Sequence, residues 1–323
     1  MKIAIIGAGL AGLTLAKQLE TVADVKIFEK SRGVGGRMST RYAGDYEFDH
    51  GAQFFTVTSD RFRESLAGYL ADGQVVEWTD RCVYLSSDGE ALTPKNEALI
   101  YVAAPRMNTL CKAIATGLDI RGKTRVTGLA QTGAGWQVLA EDADPVGPFD
   151  WVVSAVPAPQ AIPLAPVGFA HMARLEQTEM AGCFTLMVGL EERPDLPWSG
   201  AKVDDSPIGW MALNSDKPGR PSGISLLIQS NNAWAEAHLE DDPDAVTATL
   251  VSTFDHLTGI DVAEAPHIAL HRWRYASVPK AAGQPFLIDH DLKFAACGDW
   301  CLRGRVEAAF ESAVSLADAL RQV

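Results

Sequence analysis

A glycine triplet near the start of the chain limits its fold more than any other feature. Gly7, Gly9 and Gly12 have the spacing G-x-G-x-x-G and follow a short apolar run, Ile3–Ile6, that is typical of a buried strand. The next residues, Leu10–Leu19, are apolar at helical spacing, so we expect a helix to begin inside the motif. A strand, a glycine turn and a helix in this order predict the first half of a βαβ unit that binds a dinucleotide.

Each glycine has its own role in such a unit. Gly7 permits the tight turn, Gly9 lets the backbone approach a pyrophosphate, and Gly12 lets the helix pack closely against the strand. The first N–H groups of the helix, at Leu10 and Ala11, are expected to face the phosphates, with the positive end of the helix dipole behind them.

The strand after this helix ends in an acidic residue. Val25–Phe28 is the second apolar run, and Glu29 and Lys30 follow it directly, with Glu29 seventeen residues beyond Gly12. A carboxylate at this position can accept hydrogen bonds from both hydroxyls of an adenosine ribose. The unit therefore predicts either NAD or FAD as the ligand, and by itself it does not distinguish them.

Composition excludes several other classes of protein. The chain has 323 residues and a formal charge of −13, with no cluster of Lys and Arg, which argues against binding to nucleic acid. Its five cysteines are scattered and include no C-x-x-C pair, so we expect neither disulfides nor a metal site, and a reducing, cytoplasmic location fits. No apolar stretch has the length of a membrane span.

Two segments after Glu29 extend the first motif. Gly33–Met38 is a second glycine cluster, and Arg37 within it can supply positive charge near a diphosphate. Phe48–Phe55 indicates a turn into a short buried strand, whose small residues between aromatic ones suit a wall against a flat ring. We interpret His50 in this segment as a structural histidine rather than a catalytic one.

The middle of the chain is rich in short strand patterns and turn residues. After a helix at Arg61–Leu70, strands are expected near Val75–Trp78, Val83–Leu85 and Leu99–Val102, with a turn at Thr93–Asn96. A helix at Met107–Gly117, a hairpin of Thr124–Ala130 and Trp136–Ala140, and a buried strand at Asp150–Pro157 follow. The stretch from 159 to 290 predicts a second, sheet-rich domain with strands at Cys183–Leu190, Ile208–Ala212, Ile224–Gln229 and Ile268–Tyr275, and helices at Met172–Glu179 and Asp244–Leu257.

The end of the chain returns to the pattern of its start. Lys293–Cys297 predicts a strand that Gly298 and Asp299 end, and a helix with one apolar face follows from Val306. An acid at the end of a strand, before a helix N-terminus, is suited to a polyol phosphate and an electron-rich ring.

Three motifs therefore stand in a fixed order: GAGLAG with Glu29, Gly35–Met38, and Gly298-Asp299 before the last helix. This set resembles the FAD-dependent amine oxidase superfamily, which has the glutathione-reductase type of FAD-binding topology. The phrases EKSRGVGGRMSTR, DHGAQFFT, VVSAVPAPQ, HRWRYA and ACGDWCLRGRVEAAFES closely resemble bacterial renalase-like proteins, in register along the whole chain.

The resemblance implies an α/β (α+β) fold in which a Rossmann-like FAD-binding domain carries an inserted, sheet-rich substrate domain. We assign residues 1–60, 104–158 and 291–323 to the FAD-binding domain, and residues 61–103 and 159–290 to the substrate domain. The implied contacts to FAD are those of Gly7, Gly9, Leu10, Ala11, Gly12, Glu29, Lys30, Gly36, Arg37, Met38, Ala52, Gln53, Phe54, Val126, Gly298, Asp299, Arg305 and Val306.

Within this set the resemblance implies distinct roles. Ala52, Gln53 and Phe54 would line the flavin ring, and the backbone of Val126 would pair with the adenine. Asp299 would bind ribityl or phosphate oxygens. Arg305 and Val306 would aim backbone N–H groups at the flavin pyrimidine.

The chain departs from the amine oxidase pattern in two places. Many amine oxidases carry a lysine bridged through water to the flavin, and Lys202, Lys217 and Lys280 lie in the right half of the chain but in no matching context. The cysteine that binds flavin covalently in monoamine oxidases precedes the terminal Gly-Asp motif, whereas Cys301 follows it. Noncovalent FAD is therefore expected.

The renalase resemblance implies a substrate class, the 2- and 6-dihydro isomers of NAD(P), with dioxygen as electron acceptor and hydrogen peroxide as product. Loss of hydride restores an aromatic pyridinium, so the site needs orientation and a flat slot rather than a strong base. His271, Trp273 and Tyr275 alternate along a strand and could orient the nicotinamide, although Trp273 and Tyr275 could equally be core residues. The alternatives are oxidation of amines, a related desaturation, and flavin binding without turnover as a redox sensor.

Overall fold

The computed structural model describes residues 1–78, 82–92, 99–221 and 223–323. The predicted turn at Thr93–Asn96 lies outside them. The strands are, in chain order, β1 (Lys2–Ile6), β2 (Asp24–Phe28), β3 (Arg41–Ala43), β4 (Tyr46–Phe48), β5 (Phe55–Thr56), β6 (Val75–Glu77), β7 (Cys82–Leu85), β8 (Ala91–Leu92), β9 (Ile100–Ala103), β10 (Asp119–Arg121), β11 (Val126–Thr132), β12 (Gly135–Ala140), β13 (Val146–Phe149), β14 (Trp151–Ser154), β15 (Glu179–Leu190), β16 (Gly200–Val203), β17 (Ile208–Leu213), β18 (Ile224–Ser230), β19 (His267–Lys280), β20 (Leu287–Asp289) and β21 (Phe294–Ala296). The α-helices are α1 (Leu10–Leu19), α2 (Asp60–Ala71), α3 (Thr109–Ile114), α4 (Ala158–Ala161), α5 (Met172–Glu176), α6 (Asn232–Ala237), α7 (Pro243–Thr258) and α8 (Val306–Leu320).

The glycine motif belongs to a sheet with the strand order β10-β2-β1-β14-β21-β20. Its strands are parallel except β20, which pairs antiparallel with β21. α1 and α8 contact each other, and their apolar residues share one core with β1 and β14. Because these parallel strands run in the same direction, Gly7, Glu29, Ala155 and Gly298 follow their carboxyl ends at one edge, which is where open α/β sheets bind ligands.

A second sheet has the strand order β19-β15-β18-β17-β16-β7-β8. It lies on the side of the carboxyl edge of the parallel strands. The long strands β15 and β19 pair antiparallel and place Thr185 opposite His271. α7 covers the sheet and buries Val246, Leu250 and Phe254 in a core shared with Leu186 and other strand residues. The mixed α/β class predicted from the sequence, a Rossmann-like part and a sheet-rich part, is confirmed.

The segment from α2 to β9 is divided between the two parts. α2 contributes Phe62 and Leu66 to the core that surrounds β1, together with Val75 of β6, whereas β7 pairs in parallel with β16 of the second sheet. The predicted domain boundaries stay a prediction. Among the described residues of 61–103, the packing leads us to propose that the β7–β8 hairpin belongs to the substrate domain, because β7 pairs with β16.

Several predicted elements differ from the structure in length or type. The helix predicted over Met172–Glu179 ends at Glu176, because Glu179 already pairs with Lys280 as the first residue of β15. The β3–β4 hairpin and the strand β16 were not predicted, since strands of only three or four residues are too short to show a periodicity. Within the described residues, every helix is too short or too polar to pass through a bilayer.

Candidate functional site

A cavity of about 2590 Å³ lies between the two sheets, at the carboxyl edge of the parallel strands. Residues from both ends of the chain and from the substrate sheet line it, so the three sequence motifs meet in space. The predicted site residues that line it are Gly7, Gly9, Leu10, Ala11, Glu29, Lys30, Gly36, Arg37, Met38, Ala52, Phe54, Val126, His271, Trp273, Tyr275, Gly298, Asp299, Arg305 and Val306.

The glycine turn is shaped as its sequence predicts. Gly7 has a φ of +105°, a conformation that favours glycine, and a side chain at Gly9 would meet no atom within 4 Å, so the backbone there is open to the cavity. Gly12 does not line the cavity. A Cβ at this position would lie 2.0 Å from the Gly7 carbonyl oxygen, so a larger residue does not fit. Its role is the close packing of α1 against the turn.

The second glycine cluster lies directly against the first. The Gly35 N–H donates to the Ala8 carbonyl at 2.9 Å, and Gly9 and Gly35 pair as an isolated parallel bridge. Gly35 and Gly36 both have positive φ, and Gly36–Met38 forms a short 3₁₀ turn. The two clusters therefore form one backbone cradle at the cavity.

Glu29 is fixed in place by backbone groups. Its Oε2 accepts from the Ala8 N–H at 2.8 Å and its Oε1 from the Ser31 N–H at 2.7 Å, while only 8% of the residue is exposed. Each carboxylate oxygen keeps further acceptor capacity. The carboxylate is thus oriented at the cavity, where the predicted contact to a ribose stays a prediction.

Arg37 and Asp299 bind each other although 262 residues separate them. The two side chains make a bidentate pair through Nη1–Oδ2 at 2.9 Å and Nη2–Oδ1, and Nη1 also donates to the Ala276 carbonyl at 3.3 Å. The two residues were predicted to contact the ligand separately. Because their side chains already use much of their hydrogen-bonding capacity on each other, fewer donors and acceptors remain for a ligand.

The Phe48–Phe55 segment forms a wall of the cavity, with one correction to the sequence analysis. Ala52 and Phe54 line the cavity, whereas Gln53 is buried behind them. The Gln53 side chain donates to the carbonyls of Asp49 at 2.5 Å and Gly51 at 3.1 Å and accepts from Lys217. Alternation along an extended chain turns this residue away from its neighbours, so its placement in the lining was wrong.

His50 also lines the cavity, and its backbone carbonyl is a fixed point of the wall. The carbonyl accepts from Thr185 Oγ1 at 2.9 Å and from Trp273 Nε1 at 2.8 Å. Gln229 donates to the next carbonyl, that of Gly51, at 2.8 Å. The interpretation of His50 as a structural histidine stays a prediction, although the residue lines the cavity as well.

The substrate sheet packs an aromatic face against this wall. The ring centroids of His271 and Trp273 lie 4.4 Å apart, and the His50 ring lies 4.9 Å from the first and 5.0 Å from the second. Tyr275 lines the same cavity. Two of the three alternating residues of β19, His271 and Trp273, are thus in contact with His50, an association that sequence spacing alone could not supply.

Both histidines of this face are neutral at physiological pH. Burial, and for His50 the neighbouring His271 and Arg41, lower the pKa of His50 to about 4; burial and then Arg41 lower the pKa of His271 to about 4. Arg41 lines the cavity, and it forms no ion pair with any residue that the structure describes.

The cavity carries more basic than acidic residues although the chain is acidic overall. Among the described residues, its lining includes the bases Lys30, Arg32, Arg37, Arg41, Lys112, Arg125, Lys202, Arg272, Arg274 and Arg305, and the acids Glu29, Glu77, Asp204, Asp205, Asp299 and Glu307. A net charge of −13 for the chain makes this local excess of bases a property of the site. Such a cavity attracts anions.

A buried ion cluster behind the wall was missed by the sequence analysis. Asp49 Oδ2 accepts from Arg220 Nη2 at 2.6 Å and lies 3.8 Å from Lys217 Nζ, and at most 1% of each side chain is exposed. Of the three lysines considered from the sequence, Lys202 lines the cavity but Lys217 and Lys280 do not. No local pattern marks this cluster, because Asp49 comes from a segment that is distant in the chain from Lys217 and Arg220.

The residues that line the cavity fit an FAD cofactor. The open backbone at Gly9 and the uncapped N-terminus of α8 at Arg305 are suited to phosphate and to an electron-rich ring. Asn108 Oδ1 is buried at the cavity without a hydrogen-bond partner, as expected where a polar ligand binds. The volume is well above that of an ordinary small-molecule pocket of roughly 300–1,000 Å³, so it can hold both a dinucleotide and a substrate.

Comparison with known proteins is consistent with this fit. Residues 5–69 match the NAD(P)-binding Rossmann-like domain, and residues 60–321 match the family of flavin containing amine oxidoreductases. Protein anon-37Cs of Drosophila melanogaster is 28% identical over 131 residues, which are 39% of this chain and 24% of that protein. The chain thus matches about a quarter of that relative's length.

Solved structures with the same fold align along the whole chain. A provisionally assigned protoporphyrinogen oxidase from Exiguobacterium sp. 255-15 has a TM-score of 0.79 at 12% identity, covering 99% of this chain and 98% of that one. A putrescine oxidase bound to putrescine has a TM-score of 0.72 at 13% identity and covers 100% of both chains. At such identities the likeness concerns the fold alone. The family match spans most of the chain: this protein belongs to the family of flavin containing amine oxidoreductases, and it is an enzyme that uses FAD.

Proposed function

We propose that this enzyme is an oxidase of renalase type with noncovalently bound FAD. Its substrates would be the 2- or 6-dihydro isomers of NAD(P), and the net reaction converts dihydro-NAD(P), dioxygen and one proton into NAD(P)⁺ and hydrogen peroxide. The scattered cysteines favour a cytoplasmic location for this reaction.

The charge of the cavity is the observation that carries this proposal. Dihydro-NAD(P) isomers carry at least two phosphate charges, whereas a polyamine substrate is a cation. A lining in which bases outnumber acids favours the anion and disfavours the polyamine. Arg41 is the clearest candidate for a phosphate contact, because its guanidinium has no ion pair among the described side chains and borders the aromatic face.

The aromatic face suits a substrate that becomes a cation as it reacts. When bound, FAD supplies the acceptor for two electrons. His50 and His271 stay uncharged above a pH of about 4, so they do not repel the pyridinium product. Trp273 is held by its hydrogen bond to the His50 carbonyl, which fixes the ring plane against which a nicotinamide can stack. We propose His271, Trp273 and Tyr275 as substrate-orienting residues on this basis.

Amine oxidation is the second candidate, and two observations favour it. The family is named for that reaction, and one structural neighbour is a putrescine oxidase. Glu77, Asp204 and Asp205 also line the cavity and could bind an ammonium group.

One anaerobic experiment separates the two candidates. The purified yellow protein is mixed with 2- or 6-dihydro-NAD(P) in one set of samples and with putrescine and other amines in a second set, and the loss of flavin absorbance is followed. Rapid bleaching by the dihydropyridines alone supports the proposed function, and bleaching by amines alone contradicts it.

The role of Arg41 is tested by the Arg41→Met variant. If Arg41 binds a substrate phosphate, its loss raises KM about tenfold with little change in kcat, since one charged hydrogen bond contributes about 1.5–3 kcal/mol where it is shielded and less where it is exposed. Arg63→Met, an exposed arginine on α2 outside the cavity, is the matched control. Equal KM values for the two variants would exclude the phosphate contact.

A further inference from the structure

The wall of the cavity formed by the Phe48–Phe55 segment is supported from behind by a buried lysine. Lys217 Nζ lies 3.1 Å from Gln53 Oε1, 3.0 Å from Asn214 Oδ1 and 3.8 Å from Asp49 Oδ2. Its side chain is entirely buried, and it does not line the cavity. Gln53, its main link to the wall, lies between Ala52 and Phe54, which do line the cavity.

Gln53 transmits the position of Lys217 to the backbone of the wall. The amide accepts from Lys217 and donates to the carbonyls of Asp49 and Gly51, so a single side chain ties the lysine to both ends of the turn. On the other side, Lys217 Nζ lies 5.6 Å from the centre of the Trp78 ring, and Trp78 also lines the cavity. The ammonium is therefore separated from the cavity by little more than one layer of residues.

The charges in this buried cluster do not balance. Asp49 is the acid, and it faces two bases, Lys217 and Arg220. Asp49 also accepts from Thr40 Oγ1 at 2.7 Å and from the Met107 N–H at 3.0 Å, so its remaining lone pairs are used by neutral donors. With both bases protonated the cluster carries one net positive charge in a region without water contact.

We propose that Lys217 is a positioning residue for the FAD site: it fixes Gln53 and the wall from Asp49 to Phe54, and it places a positive charge behind that wall which stabilises the electron-rich reduced cofactor. Positive charge that is fixed where negative charge develops is an effective electrostatic stabiliser, because it needs no reorganisation. The inference rests on FAD as cofactor and not on the choice of substrate.

This charge is expected to depend on pH near neutrality. Burial, and then the repulsion of Arg220, lower the pKa of Lys217 to about 7 against the opposing attraction of Asp49. Asp49, Arg220 and Cys82 are the titratable or charged groups that act on it. Below pH 7 the lysine is mostly charged, and at pH 8 it is mostly neutral.

The experiment measures the midpoint potential of bound FAD at pH 6 and pH 8, together with the FAD dissociation constant. The variant is Lys217→Met, which leaves Asp49 still paired with Arg220. Lys280→Met is the matched control, because Lys280 lies at the exposed end of β19 outside the cavity. Lys217→Met is expected to lower the potential relative to the wild type, with a larger shift at pH 6 than at pH 8, whereas Lys280→Met leaves it unchanged.

A folded, FAD-loaded Lys217→Met protein with the wild-type potential at both pH values would overturn the proposal. A shift of equal size at the two pH values would also overturn the part that rests on the charge. Gln53→Leu tests the link to the wall without removing the lysine, and it remains informative if Lys217→Met does not fold. Weaker retention of FAD and an altered flavin absorbance spectrum are expected for Gln53→Leu, and wild-type values for both would exclude Gln53 as the link.

Discussion

Two of the ion clusters that the structure describes join distant parts of the chain at the cavity and behind its wall, and they differ in charge balance and in exposure. Arg37 and Asp299 form a bidentate pair of one base and one acid at the cavity, with 28% of the arginine side chain exposed. Asp49, Lys217 and Arg220 form a cluster of two bases and one acid behind the cavity wall, and no more than 1% of any of these side chains is exposed.

The difference shows how one fold assigns separate tasks to similar groups. The balanced Arg37–Asp299 pair at the cavity holds two distant segments together and shapes a ligand site without adding net charge. An unbalanced cluster in the interior is costly unless every other contact is satisfied, but it can carry a group that titrates near neutral pH. We therefore expect variants of the two clusters to differ in size of effect and in pH dependence.

The largest effect is expected for Asp49→Asn. This change leaves two buried bases without their counter-ion, and breaking a buried pair in this way costs about 3–5 kcal/mol in free energy of unfolding. Urea denaturation measures the loss, with the exposed Asp241→Asn as control. Adding Lys217→Met to Asp49→Asn should recover part of the stability, because it removes the excess charge, and a further loss in the double variant would contradict this account of the cluster.

A smaller effect is expected for Asp299→Asn. The substitution keeps the size of the side chain but replaces charged hydrogen bonds to Arg37, which contribute about 1.5–3 kcal/mol where they are shielded from water. We expect a loss of about 1–2 kcal/mol in the FAD-free protein and weaker FAD retention, measured by denaturation and by ultrafiltration.

Asp318→Asn is the matched control for Asp299→Asn, since it breaks exposed pairs with Arg61 and Arg321 that contribute about 0–1 kcal/mol. Equal losses in the two variants would show that the Arg37–Asp299 pair behaves as an ordinary surface pair.

The two clusters also show which parts of the molecule could be predicted from the sequence. The residues of the glycine cradle are local in the chain: Gly7, Gly9 and Gly36 have positions that their spacing and the strand–helix pattern already require. The meeting of the first and last motifs followed from family resemblance, and the structure brings them together at Arg37 and Asp299. Their direct pairing was not predicted, because each was treated as a ligand contact.

The substrate side and the wall could be predicted only in part. Alternation along one strand grouped His271, Trp273 and Tyr275. The contact of the first two with His50 depends on how the segment after β4 packs against β15 and β19, which no local pattern encodes. Gln53 was placed on the cavity side of the wall, because the sequence does not show which residues of a short extended segment face the cavity. Lys217 was considered only as a lysine in the right half of the chain, since burial and counter-ions appear only after folding.

The smallest expected effect is a difference between the two clusters in how the free energy of unfolding depends on pH. The pKa of Lys217 is lowered to about 7 in the folded protein, chiefly by burial, from an ordinary value of 10.5. Between these values the unfolded chain binds more protons than the folded one, so the contribution of Lys217 to the free energy of unfolding rises with pH. Between pH 7 and pH 8 the free energy of unfolding of the wild type should rise by up to about 1 kcal/mol relative to that of Lys217→Met, as measured by urea denaturation at both values.

The Asp299→Asn protein should keep the wild-type slope of unfolding free energy against pH, because a guanidinium retains its charge throughout this range. A wild-type slope in Lys217→Met would show that the buried cluster, like the Arg37–Asp299 pair, holds no titrating group near neutrality.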